Sequence, residues 1–201
     1  MTAFLYALGG YVAGSIPFAV IVSRILALPD PRTYGSKNIG ATNVLRSGSR
    51  IAALLTLVGD AGKGWAAVIV ARLLGAEDEI LAMVGLAAFL GHVFPVWLRF
   101  RGGKGVATAA GVFLALAPLP LLAAVPVWGV SLWITGYVSL SSIIAVASFP
   151  VWVRVFEPAQ IYAFWASVAL ATLIVFAHRA NIRRLLAGTE TRFGTHGGAA
   201  A

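Results

Sequence analysis

Three stretches gather the residues that could do chemistry. Residues 35–46 read GSKNIGATNVLR, with Ser36, Asn38, Thr42 and Asn43 set around Gly35 and Gly40 and a basic end at Arg46. Residues 100–108, FRGGKGVAT, place Lys104 among Gly102, Gly103 and Gly105. Residues 177–193, AHRANIRRLLAGTETRF, space His178, Asn181 and Arg184 so that a continuing helix puts all three on one face. A shorter segment, YVSLSS at 137–142, adds Ser139, Ser141 and Ser142 as a serine-bearing turn. These residue types share one chemistry. Glycines let backbone N–H groups converge, hydroxyls and amides add directed hydrogen bonds, and cations complete a site that binds anions and stabilises developing negative charge. Taken singly, each stretch also reads more plainly, as an interfacial turn, a basic linker or a lipid anchor.

Other chemistries are excluded. The chain has no cysteine, hence no disulfide, thiolate metal site or cysteine nucleophile. GGKG precedes a helix whose N-terminal dipole suits phosphate, but it is no nucleotide-hydrolysing P-loop: Leu98 and Gly105 stand where glycine and Ser/Thr are needed. There is no G-x-S-x-G nucleophile elbow. Of seven acidic residues, four (Glu77, Asp78, Glu79, Glu157) belong to the opposite face, leaving no carboxylate pair for a metal or a two-carboxylate mechanism. No metal and no cofactor are expected. Asp60 and Lys63 read as a structural ion pair within a span, and His92 as fixing the end of the next one.

The elements that must position these groups are membrane spans. Hydrophobic residues make up 60% of the 201-residue chain and charged ones 11%, against about 25% charged in a soluble domain. Apolar stretches at 3–26, 51–73, 80–98, 106–118, 121–135, 142–156 and 160–177 predict an all-α polytopic protein with seven transmembrane helices. The segments at 106–118, 121–135 and 142–156 are short, and are expected inside the bundle, screened by neighbours. Twelve of the fifteen Lys and Arg residues then fall on one side, with only Arg72 and Arg154 on the other and Lys63 within a span. That bias predicts an N-terminus outside, a cytoplasmic C-terminus and all three loops on the cytoplasmic face. The net charge of +8 thus reports topology and anionic ligands, with no nucleic-acid partner implied. Residues 1–193 form one domain, and 194–201 read as a disordered tail in which His196 is incidental.

In order and spacing, GSKNIGATNVLR, GHVFPVWLRFRGGKGVAT and HRANIRRLLAGTE resemble the three signature loops of the bacterial acyl-phosphate–dependent glycerol-3-phosphate acyltransferases of the inner membrane. The likeness runs from about residue 14 to 193, with Lys37 standing where a glycine is commoner. It implies a monomeric, multi-pass enzyme that moves an acyl chain from acyl phosphate to glycerol 3-phosphate. The products would be 1-acyl-glycerol 3-phosphate and inorganic phosphate, the first step of phospholipid biosynthesis. Carried over by position, Ser36, Asn38, Gly40, Thr42 and Asn43 hold the acyl phosphate; the glycine-rich loop is itself expected to bring the backbone N–H groups of 102–105, those of Gly102 and Gly103 among them, close to phosphate. Arg46, Lys104, His178, Asn181 and Ser141 bind glycerol 3-phosphate, and Ser36, Lys104 and His178 are the candidate catalytic groups. The His-x4-Asp pair of acyl-CoA enzymes is absent, since Trp97 and Arg183 stand at that spacing from His92 and His178. Substrate-assisted catalysis is expected, with the donor's phosphate as base and membrane lipid around the acyl chain. The rival reading is a transporter of organic phosphates, which would place polar groups near the bilayer midplane in repeated halves.

Overall fold

Proline and glycine set the joints of this molecule. In the computed structural model, which describes residues 2–194, helix α1 (Thr2–Gly14) stops before Pro17, whose missing N–H cannot continue the ladder, and α2 (Phe18–Ile25) resumes beyond it. After a long loop come a single turn, α3 (Ala41–Val44), and the longest helix, α4 (Arg50–Leu73), capped by the Ser49 hydroxyl accepting from the Ala52 amide. Gly75, in the left-handed region at φ 84°, turns the chain into α5 (Asp78–Val93). The order closes with α6 (Val106–Leu116), α7 (Pro118–Thr135), α8 (Val138–Phe156), α9 (Ile161–Ala177) and α10 (Arg179–Leu186). There is no strand among the described residues. Of the expected tail, all but Gly194 lies outside the described residues.

Five segments are long and apolar enough to cross a membrane: Thr2–Ile25, Arg50–Leu73, Asp78–Leu98, Pro118–Thr135 and Val138–Phe156. The α9–α10 pair, bent by 56°, makes a sixth if taken as one span. Helix α6 has 11 residues, about 16 Å of rise against a hydrocarbon core of about 30 Å. The seven apolar segments are all helical and in the expected order, but length alone supports five or six crossings. The expectation for the middle three needs correcting. Starting at Pro118 and Val138, α7 and α8 are full-length, and α7 turns Leu122, Val125, Trp133 and Ile134 outward. Only α6 is both short and enclosed, with Val112, Phe113 and Leu116 in the core beside Phe89, Leu81, Phe149 and Leu170.

Small residues let the helices touch. A Cβ added at Gly14 would lie 1.9 Å from the Ala88 carbonyl oxygen, and one at Gly111 would lie 1.8 Å from that of Ala61. Helices α1 and α5, and α4 and α6, therefore meet backbone to backbone, the usual way to associate where lipid is as apolar as leucine.

Candidate active site

The first loop is held from within. Asn43 is buried; its amide donates to the carbonyls of Pro31 (2.7 Å) and Tyr34 (3.3 Å), and its Oδ1 accepts from the Ser36 amide at 2.9 Å. Asn43 therefore shapes the loop, and its amide is committed to backbone carbonyls, unlike the phosphate ligand the resemblance implied. Gly35 passes so close that a Cβ would meet Asn43 Oδ1 at 2.4 Å. Lys37 adopts φ 56°, the conformation glycine takes freely, which accounts for the commoner glycine there. Ile39 and Val44 are the loop's own anchors, buried against Ala19, Val22, Ala52 and Ala53. Above them, the side chains of Ser36 and Thr42 are exposed, while Asn38 is half-buried and its Oδ1 has no partner. Gly40 precedes α3 in extended backbone, and Arg46 lies in the turn before α4 with its side chain beside Gly35.

The second loop departs from expectation at its glycines. The Gly102 amide donates to the Val93 carbonyl (3.0 Å) and the Gly103 amide to that of His92 (3.1 Å), so neither N–H is available to phosphate. Their lack of side chains serves packing: a Cβ on Gly103 would lie 2.1 Å from His92 Nε2. The amides of Lys104 and Gly105 have no hydrogen-bond partner among the described residues, so the loop's free N–H groups begin at Lys104. Asp60 and Lys63 form the expected ion pair, 2.7 Å apart and buried, and His92 Nδ1 reaches the same carboxylate oxygen at 3.4 Å.

The third stretch is not one continuous helix. The chain bends at His178, where Nδ1 lies 2.8 Å from the Ile174 carbonyl oxygen. A carbonyl only accepts, so Nδ1 carries the proton and Nε2 of the neutral ring is an acceptor. Asn181 and Arg184 do share a face, and both bind Glu190: Asn181 Nδ2 to Oε1 at 2.6 Å and Arg184 Nε to Oε2 at 2.6 Å. Ser139 donates to the same Oε1 at 2.7 Å. The serine segment is thus the first turn of α8, where a turn was expected. Ser141 is buried and donates to its own helix at Tyr137, so Ser139 is the serine that joins the cluster. Glu190 was not among the expected site residues. It closes the quoted HRANIRRLLAGTE motif, but its role depends on a chain return that carries Phe193 N to the Gly136 carbonyl.

Electrostatics tie the three stretches together. Burial lowers the Lys104 ammonium to about 8; Glu190 opposes the shift, while Arg184 and Arg46 add to it. Burial also lowers His178 to about 4, helped by the Lys104 charge and opposed by the Ile174 carbonyl and Glu190. At neutral pH its imidazole is uncharged. Burial would raise the Glu190 carboxyl, but the hydrogen bonds from Asn181, Ser139 and Arg184 outweigh it and hold it below the usual carboxylate value. The site therefore combines cations at Arg46 and Lys104 with two acceptors, His178 Nε2 and the buried, unpartnered Oδ1 of Asn181. It is not a surface of donors alone.

The family model described as glycerol-3-phosphate acyltransferase matches residues 4–188. The chain belongs to that family. Glycerol-3-phosphate acyltransferases of Burkholderia lata and Burkholderia orbicola are 52% and 51% identical to it; each alignment covers 100% of this chain, and 95% and 98% of theirs. Two crystal structures of PlsY (YgiH), an integral membrane glycerol 3-phosphate acyltransferase, are each 37% identical over 97% of both chains. Its glycerol 3-phosphate form superposes with a TM-score of 0.90 and its lysophosphatidic acid form with 0.87. The acyltransferase is accordingly an integral, multi-pass membrane enzyme, which decides against the transporter.

Proposed function

We propose that this acyltransferase moves an acyl chain from acyl phosphate to glycerol 3-phosphate, releasing 1-acyl-glycerol 3-phosphate and inorganic phosphate. The carrying observation is the pairing of cations at Arg46 and Lys104 with acceptors at His178 Nε2 and Asn181 Oδ1. Glycerol 3-phosphate is a dianion at one end and a hydroxyl donor at the other, so the two sets match its two ends. Ser36, Asn38, Gly40 and Thr42, with the amides of Lys104 and Gly105, hold the phosphate of the donor. The loop glycines 102 and 103 and Asn43 support this site from behind.

The reaction needs little from the protein beyond placement. The acceptor's hydroxyl oxygen attacks the acyl carbon, the bond from that carbon to the phosphate oxygen breaks, and the hydroxyl proton leaves with the departing phosphate. Neither candidate group on the protein is a good base: His178 titrates near 4, and Glu190 is ionised, acidic and bound by three donors. The donor's phosphate carries basic oxygens beside the hydroxyl, so catalysis is substrate-assisted. Orientation and cationic screening of two repelling anions supply the rate. No cofactor takes part.

Residues 1–193 act as one domain and as a monomer, with α6 as a seventh crossing screened by its neighbours. The N-terminus lies outside and the site faces the cytoplasm at a bacterial inner membrane, with the acyl chain left among lipids. The test is purified enzyme with acyl phosphate and glycerol 3-phosphate, assayed for lysophosphatidic acid and phosphate. Acyl-CoA should not replace the donor; comparable turnover from acyl-CoA overturns this reading.

A further inference from the structure

Asp60, Lys63 and His92 form a buried charged cluster that the acyl transfer does not itself use. Lys63 Nζ is 2.7 Å from Asp60 Oδ1 and donates to the Ile16 carbonyl, also at 2.7 Å, at the break between α1 and α2. His92 Nδ1 lies 3.4 Å from the same Asp60 oxygen, in contact with it but not hydrogen-bonded. For stability alone, apolar packing would serve as well as three buried ionisable groups. The far edge of the imidazole suggests another use. His92 Nε2 abuts Gly103, where a Cβ would come within 2.1 Å, and the carbonyls of His92 and Val93 hold the Gly103 and Gly102 amides. Lys104 is the next residue. The helix it leads into is pinned to the helix bearing Asp60, since a Cβ on Gly64 would lie 2.3 Å from the Thr108 carbonyl oxygen.

We propose that Asp60, Lys63 and His92 are positioning residues for Lys104. Lys63 holds Asp60, the Asp60 carboxylate backs the His92 ring, and the ring sets the path of the Gly102–Gly103 backbone that carries the Lys104 ammonium to the acceptor's phosphate. This rests on the assignment of Lys104 to glycerol 3-phosphate.

The experiment is a mutant cycle on the full chain in detergent. It measures glycerol 3-phosphate affinity by calorimetry, which needs no acyl donor, alongside KM for each substrate and thermal unfolding. His92→Ala should weaken glycerol 3-phosphate binding about ten- to a hundred-fold through misplacement of the Lys104 ammonium, with a smaller rise in KM for acyl phosphate because the Lys104 and Gly105 amides shift with the loop. Gly103→Ala should do the same by pushing on the ring. In the His92→Ala background the added methyl has room, so Gly103→Ala should cost nothing further. If His92→Ala is not recovered folded, His92→Asn, which keeps a polar atom toward Asp60 and none toward Gly103, completes the same cycle. Asp60→Asn/Lys63→Gln removes both charges together and should also weaken glycerol 3-phosphate binding. Multiplicative losses in the cycle overturn the proposal, as does a charge-free pair that lowers only the melting temperature. Wild-type enzyme that binds glycerol 3-phosphate without using acyl phosphate would instead sink the donor assignment and leave this cycle readable.

Discussion

His178 shows how much one hydrogen bond decides at the scale of a residue. Because Nδ1 donates to the Ile174 carbonyl, the ring offers only an acceptor, and its value near 4 makes that acceptor a feeble base. A histidine base contributes about 10²–10⁴-fold and leaves an acidic limb near its own pKa. His178→Asn should therefore raise KM for glycerol 3-phosphate while kcat stays measurable, with no limb lost between about pH 5.5 and 7.5. A kcat loss of the full size, together with a vanished limb there, would make His178 the base. Lys104 gives the complementary test. In the proposed site its cation is the form that binds phosphate, so acceptor binding should be complete below about 8 and be lost as pH rises through that value. Thus kcat/KM for glycerol 3-phosphate should fall above about pH 8, and Lys104→Arg should abolish that limb. Alanine at Lys104 or Arg46 should raise KM for the acceptor about ten- to a hundred-fold, the worth of a charge-assisted hydrogen bond. Sequence alone could identify these cations from their company of glycines and amides. It could not identify Glu190, because a carboxylate in a basic segment reads as solvated until the chain returns to Ser139.

Whether such residues meet depends, one scale up, on how closely helices approach. Helix α6 begins at the Lys104 loop and lies on α4 with Gly111 against the Ala61 carbonyl. Gly111→Ala must part the two helices, at about 1–3 kcal/mol for an overpacked contact. Gly129 meets nothing within 4 Å, so Gly129→Ala should be neutral or stabilising by about 0.5–1 kcal/mol through helix propensity alone. Thermal unfolding in detergent compares the two directly. Equal melting temperatures would mean that α4 and α6 do not meet as described. The apolar runs disclosed which segments are helical, and Gly75, Pro118 and Gly136 disclosed several of the joints, but the first run, 3–26, gave no sign of the break at Pro17 between α1 and α2. They did not disclose that α8 starts before its serines, since Ser139, Ser141 and Ser142 resemble turn residues until two of the hydroxyls are seen bonding back to Tyr137 and Val138. Nor did they reveal the roles of Gly102 and Gly103. A glycine that frees an amide for phosphate and one that makes room for a histidine are the same letter.

At the scale of the whole molecule, charge and geometry point to one end. Arg46, Arg184 and Glu190 all act on Lys104, although the four come from the turn after α3, the loop after α5 and the stretch around α10. Arg72 and the acidic Glu77, Asp78 and Glu79 lie instead about the joint between α4 and α5, at the other end of both helices. Under the positive-inside bias, the proposed orientation turns the basic end, and the site with it, to the cytoplasm. Acyl phosphate and glycerol 3-phosphate would be met there as soluble headgroups, while the acyl chain stays beside outward side chains such as Trp133 and Leu122. Because the chain has no cysteine, single cysteines report on this cleanly. Glu77 and Arg99 are both exposed and flank α5 on opposite sides. In intact spheroplasts, a membrane-impermeant maleimide should label Glu77→Cys, and should label Arg99→Cys only after permeabilisation. Labelling in the reverse order would turn the molecule over and put its phosphate site outside, away from the cytoplasmic glycerol 3-phosphate it is proposed to use. Labelling of both in intact spheroplasts would mean that α5 does not cross, and the common end of the three loops would then have to be assembled some other way.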